Sequence, residues 1–309
     1  MIITQTPLRV SFFGGGTDFP DFYEKYGGAV LTTAITKYVY VIVKPRFDDL
    51  IRVTYTKAEL EHNVNDIKHD IIRECLKLTR ITKGIEVVTI GDLPAGTGLG
   101  SSSAVTVGVL RALHAYKGET MLPDWLAEEA CYIEREVLGK PIGVQDQYIS
   151  AFGGFRYFSF CLESTVTKMV DYKDLFDHLL LFYTGITRDA DKILKVQSNN
   201  ISKNIKVLQE MKELAKEKVT GELLHKSWEL KKTLGPISNT KLDKLYAKAL
   251  KNGATGGKIL GAGGGGFLLL YTDDKDRVRK AIKLTEIPFE SDPNGSRIIF
   301  NNEETTQLN

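Results

Sequence analysis

The chain predicts an α+β fold in two domains, on three observations. Its 309 residues suffice for two hydrophobic cores. Strand-like and helix-like runs mix without the strict alternation that a doubly wound parallel sheet requires. A second compositional unit, with long Lys/Glu-rich helices, begins near Tyr172. The domains are therefore placed at residues 1–172 and 173–309.

Residues 6–13 (TPLRVSFF) read as a strand, broken by Gly14, Gly15 and Gly16. Two further β-rich runs, 29–35 and 38–44, flank a short polar turn, and 51–56 reads as another strand. Helical periodicity covers 66–78. A strand at 84–90 is followed by a glycine-rich turn and a helix over 105–116. Pro123 suits the first turn of a helix over 123–138, and Gly139 its end. A helix over 143–152 and paired strands at 155–160 and 166–170 complete the first unit. The second has a strand at 178–184, helices across 189–252, and glycine-rich segments at 258–266. A strand at 267–271, a helix at 276–284 and a strand at 297–300 end it.

Composition bounds the function. The chain is 42% hydrophobic and 26% charged, and 41 Lys+Arg against 39 Asp+Glu leave +2. That balance implies no general affinity for nucleic acid or membrane. Cys75, Cys131 and Cys161 lie far apart and match no zinc spacing, which fits a reducing cytoplasm. MIITQTPLRV carries no signal-like segment, and no apolar run is long enough to span a bilayer, so a cytoplasmic location is expected. The five histidines show no ligand-like pairing, and the charges of 203–232 read as a solvated helix face.

The chemistry concentrates at Pro94-Ala95-Gly96-Thr97-Gly98-Leu99-Gly100-Ser101-Ser102-Ser103-Ala104. A glycine-rich turn from strand into helix lets backbone N–H groups and the helix dipole meet phosphate oxygens. The three serines can cap the helix, donate to phosphate or ligate a cation. The dinucleotide fingerprint fails because Ser101 stands where its last glycine should be, and the Walker pattern is absent. This is a phosphate loop of another kind.

Four polar groups have two readings each. Asp18 is a turn residue, or a carboxylate accepting hydrogen bonds from a polyol. Arg9, within an apolar strand, has a buried anionic partner or points into a cleft. Asp146 caps a helix, or acts as a base or orienting charge for an attacking hydroxyl. Glu134 and Glu136 are solvated carboxylates, or one of them holds magnesium.

Three ordered motifs resemble those of the GHMP kinases: Pro7-Leu8-Arg9-Val10 through Asp18, PAGTGLGSSSA, and Lys258-Ile259-Leu260-Gly261-Ala262-Gly263-Gly264-Gly265-Gly266-Phe267. PLRVSFFGGGTDFPDFY, with TGITRDADKIL, is similar to the branch that phosphorylates heptose 7-phosphate, with fucokinase a nearer relative than the rest. The resemblance implies an N-terminal domain like ribosomal protein S5 domain 2 and a ferredoxin-like C-terminal domain, with ATP and sugar between them. It implies that Gly96, Thr97, Gly98, Leu99, Gly100, Ser101, Ser102 and Ser103 wrap the ATP phosphates, and that Ser102 and Glu134 hold Mg²⁺. Asp146 would face the acceptor hydroxyl and Arg9 would pair with it. Gly15, Gly16, Thr17, Asp18, Gly263 and Gly264 would meet the substrate. Galactokinase-like chains carry Glu-His where this chain has Gly15 and Gly16, which would widen the pocket for an extended, phosphorylated tail. Arg188 is placed against that tail, with Arg156 and Lys192 further candidates for its phosphate.

The expected activity is ATP- and Mg²⁺-dependent phosphorylation of the anomeric hydroxyl of heptose 7-phosphate to the 1,7-bisphosphate, feeding nucleotide-activated heptose for surface polysaccharide. The alternatives are a kinase for fucose or galactose, and a non-catalytic sugar sensor. The expected partner is a small-molecule sugar phosphate, with no nucleic acid or membrane, and a homodimer is compatible with the sequence.

Overall fold

The computed structural model describes residues 1–162, 164–186 and 190–302. Among them the strands form an eight-stranded and a four-stranded sheet. The first begins with β1 (Ile2–Phe13), a short helix α1 (Pro20–Tyr26) and β2 (Gly28–Pro45). It continues with β3 (Ile51–Thr54), β4 (Ala58–Glu61), α2 (Asp70–Leu78) and β5 (Ile85–Gly91). Helices α3 (Ser101–Tyr116), α4 (Pro123–Cys131) and α5 (Gln145–Phe152) follow, then β6 (Phe155–Phe160) and β7 (Thr165–Met169). Helix α3 packs across β1 and β2, and its buried face joins Val10, Phe12 and Val41 in one core.

The four-stranded sheet begins with β8 (Leu179–Tyr183), which is followed in the chain by helices α6 (Ala190–Asn199), α7 (Ile205–Leu214), α8 (Gly221–Lys232) and α9 (Thr240–Lys251). β9 (Ala254–Ile259), β10 (Phe267–Thr272), α10 (Lys275–Ile282), β11 (Thr285–Glu286) and β12 (Arg297–Asn301) complete the described elements. Its order, β11-β8-β10-β9, is fourth, first, third, second with every pair antiparallel. That is the ferredoxin-like arrangement the resemblance implied. The last strand, β12, crosses back and pairs with β1 of the larger sheet.

Three local readings are corrected. The two runs at 29–35 and 38–44 are one strand, β2, without a turn. The register against β1 jumps from Pro7↔Tyr38 to Leu8↔Ile35, so Thr36 and Lys37 are taken up as a bulge. Pro7 has no N–H for the ladder, and Thr36 donates instead to the carbonyl of Glu290 at 3.0 Å. The helix read at 105–116 starts at Ser101, and no serine caps it, since its N-cap is Gly100 in the left-handed conformation (φ 75°). The helix read over 123–138 stops being α-helical at Cys131 and widens into a π-helical turn, Tyr132–Val137. Such turns redirect side chains at functional sites. This one carries Glu134, which is wholly buried.

Candidate active site

Strand β1, the loop before α3, the π turn, α5 and the second sheet converge on a cleft of about 420 Å³. Its floor is an ion pair. Arg9 Nε donates to Asp146 Oδ1 and Nη2 to Oδ2, both at 2.7 Å, and Nη1 donates to the Gly98 carbonyl at 2.7 Å. A planar guanidinium matched to a carboxylate fixes both side chains. It also tethers the glycine loop, since the Arg9 N–H donates to the Leu99 carbonyl at 3.0 Å.

At the loop end, Ser102 Oγ donates to Glu134 Oε1 at 2.7 Å and Gln147 Nε2 donates to Oε2 at 2.8 Å. Lys140 Nζ lies 3.2 Å from Ser102 Oγ and 3.6 Å from Glu134 Oε1. A buried carboxylate beside a hydroxyl at a helix N-terminus is a hard-oxygen donor set. It suits a Mg²⁺ ion that takes one or two protein ligands and completes its shell with phosphates. The glycine loop is packed from behind: a Cβ on Gly261 (φ +64°) would lie 2.5 Å from Gly98 Cα. Thr97 and Leu99 are buried, while Gly96, Gly98, Gly100, Ser101, Ser102 and Ser103 line the cleft.

At the other end, Asp18 is buried. Its Oδ1 accepts from the Gly16 N–H at 2.9 Å and its Oδ2 from the Gln145 N–H at 3.3 Å. Burial pushes its pKa up, the Gly16 N–H opposes that, and the Asp146 charge adds to it. Gly143 admits this approach, because a Cβ there would lie 2.0 Å from Asp18 Oδ2. Gly15 and Gly16 line the cleft. The Thr17 hydroxyl donates to the Ala29 carbonyl at 2.8 Å and does not line it. Gly263 and Gly264 pack against Ile237, and Gly261 and Ala262 provide the wall instead. Arg188 lies outside the described residues. Arg156 donates to the Gly153 carbonyl at 2.7 Å and covers the Phe152 ring, away from the cleft. Lys192 does not line it either.

Sequence reasoning missed three lysines and a glutamine. Lys140 and Gln147 flank Glu134, as above. Lys258 on β9 is buried and donates to the Phe12 carbonyl at 2.7 Å. Burial drives its pKa far below the usual lysine value, and the cations Lys231 and Arg9 push it the same way. Lys231 on α8 donates to the Gly261 carbonyl. Both line the cleft. The clue available in the sequence was Lys258 itself, a charged residue inside the third glycine motif, between two glycines and an apolar pair.

A family model described as the GHMP kinases N-terminal domain matches residues 48–154, and one described as the GHMP kinases C terminal matches residues 209–283. The chain is 33% identical over 303 residues to D-glycero-alpha-D-manno-heptose 7-phosphate kinase of Campylobacter jejuni, covering 88% of this chain and 89% of that one. It is 28% identical to L-fucokinase/L-fucose-1-P guanylyltransferase of Bacteroides fragilis, over 94% of this chain and 36% of that longer protein. The crystal structure of a candidate sugar kinase from Campylobacter jejuni matches with a TM-score of 0.74 at 30% identity, over 96% of this chain and 97% of that one. The chain belongs to the GHMP kinase family. It is a phosphotransferase whose acceptor is a hydroxyl group. No described helix is long and apolar enough to cross a membrane.

Proposed function

We propose that the protein transfers the γ-phosphoryl group of ATP to the anomeric hydroxyl of D-glycero-D-manno-heptose 7-phosphate, giving the 1,7-bisphosphate and ADP. The observation that carries this reading is the pairing, in one cleft, of two carboxylates for hydroxyls with two lysines for a second phosphate. Asp18 and Asp146 are acceptors for sugar hydroxyls, while Lys231 brings positive charge and Lys258, its pKa lowered by burial, gains charge when a phosphate sits beside it. The similarity to a heptose 7-phosphate kinase over most of both chains supports the same substrate.

In this reading the loop N–H groups at 96–103 hold the triphosphate at the N-terminus of α3. Ser102 and Glu134 hold Mg²⁺, which when bound neutralises charge on the phosphate oxygens. Asp146, with both oxygens engaged by Arg9, orients the acceptor hydroxyl through its remaining lone pairs. The hydroxyl oxygen bonds to the γ-phosphorus as the bond to the β–γ bridging oxygen breaks, and the hydroxyl proton leaves to the Asp146 carboxylate. Arg9 stands beside the developing negative charge, so positioning and electrostatics supply the acceleration.

The test is ATP consumption with heptose 7-phosphate, fucose, galactose and mannose, and without sugar. Turnover confined to heptose 7-phosphate is the expected result. Turnover with a free hexose alone would overturn the substrate, and none with any sugar would overturn the reading.

A further inference from the structure

Two buried polar atoms in the cleft have no hydrogen-bond partner: Ser11 Oγ and Gln145 Oε1. Their residues are 7% and 9% exposed, and both line the cleft. Buried polar atoms are nearly always paired, so two orphans in one site call for an explanation. Gly15 lies beside both side chains, facing the Ser11 hydroxyl and the nitrogen of the Gln145 amide that carries the orphan oxygen. A Cβ built on Gly15 would lie 3.5 Å from Gln145 Nε2 and 3.6 Å from Ser11 Oγ. The hydroxyl and the amide therefore face one small space, open because residue 15 has no side chain.

We propose that Ser11, Gln145 and the space over Gly15 form a socket for one hydroxyl of the acceptor and help to select it, an inference that rests on the sugar-kinase reading above. The donor and acceptor inventory fits a hydroxyl. Gln145 offers an acceptor and a donor, and Ser11 can serve as either, so a group that both gives and receives satisfies both side chains. A phosphate oxygen would leave Gln145 Oε1 unpaired, and an ammonium would leave the amide N–H unpaired. The main chain locates the socket on the acceptor. Gln145 directly precedes Asp146, and its own N–H donates to Asp18 Oδ2. Asp18 in turn accepts from the N–H of Gly16, next to Gly15. The socket is thus built on the segments that carry both cleft carboxylates, and it recognises a hydroxyl other than the one that reacts.

Steady-state kinetics on wild type, Ser11→Ala, Gln145→Leu and Gly15→Ala test this, with acceptor and ATP varied separately. Analogues of the acceptor that each lack one hydroxyl complete the matrix. Ser11→Ala and Gln145→Leu should raise the acceptor KM about tenfold and leave the ATP KM within about twofold, the effect of one lost neutral hydrogen bond. Gly15→Ala should do at least as much, since its methyl fills the socket. Its contacts are ordinary ones, so it keeps the test open should Gln145→Leu fold poorly. One deoxy analogue should be penalised about tenfold by wild type and no further by the variants. Equal discrimination among analogues by all four proteins, or parallel rises in both KM values, would overturn the socket alone. Wild-type turnover with no sugar would overturn the sugar-kinase reading and the socket with it.

Discussion

The two ends of the cleft are built on opposite rules. At the loop end the charged side chains already pair: Ser102, Gln147 and Lys140 surround Glu134, and Arg9 closes on Asp146 and Gly98, leaving Gln147 Oε1 without a partner. At the acceptor end Ser11 Oγ and Gln145 Oε1 are unpaired, and Lys258 is hydrogen-bonded to a carbonyl with cations for charged neighbours. The first arrangement is pre-organised for chemistry common to all substrates of such a fold. In the proposed function the second is completed by the acceptor, which is where a difference in binding becomes specificity.

Substitutions can break this contrast, the largest effect first. Asp146→Asn should lower kcat by about 10²- to 10⁴-fold and shift the ATP KM little, because in the proposed function it removes the group that meets the reacting hydroxyl. Steady-state kinetics decide it, and near-normal turnover would remove Asp146 from the mechanism. Lys258→Met should raise the KM for the phosphorylated acceptor by about 10- to 100-fold and leave the ATP KM within about twofold. Parallel rises in both KM values would make Lys258 structural.

The same lysine gives a pH signature. Its folded pKa lies below the ordinary 10.5. The unfolded chain therefore binds the proton more tightly, and stability of the empty protein rises with pH between the lowered value and 10.5. A bound phosphate favours the charged form, so acceptor binding should take up a proton and weaken as pH rises, which calorimetry in buffers of different ionisation enthalpy reads directly. Gln147→Leu, which frees one oxygen of Glu134, should raise the Mg²⁺ needed for half-maximal rate about tenfold.

The smallest effect lies outside the cleft. His114 bridges Glu129 and Glu119 at 2.7 and 2.6 Å. Those hydrogen bonds, Glu129 first, raise its pKa above 6.5 against the opposing effect of burial. Its contribution to stability is fully present below 6.5 and is lost as pH rises through the raised value. His114→Gln should flatten that part of the Tm-versus-pH curve and leave turnover unchanged.

What the sequence revealed follows the same division. The loop end is local: glycines, serines and a strand–helix junction lie within a dozen residues, and Arg9 stands out as a charge within an apolar strand. The acceptor end is assembled from distant segments. Ser11 and Gln145 are 134 residues apart and carry no local pattern, and Lys258 is adjacent to β1 only because two sheets meet. Thr36 and Lys37 read as a turn because a bulge opposite Pro7 leaves no periodic trace. Glu134 read as one of two carboxylates on a regular helix, solvated or holding magnesium, since a π turn changes the direction of a side chain without changing composition. The last strand read correctly as a strand, but its partner in the first sheet is a property of the tertiary fold.

The most direct measurement is phosphorus NMR of the reaction mixture containing the protein, ATP, Mg²⁺ and heptose 7-phosphate. The account predicts a new resonance coupled to the anomeric proton, growing in step with ADP while the 7-phosphate signal is retained. ADP formation with the new phosphate on any other carbon, or phosphorylation seen only with sugars that carry no phosphate, would contradict it.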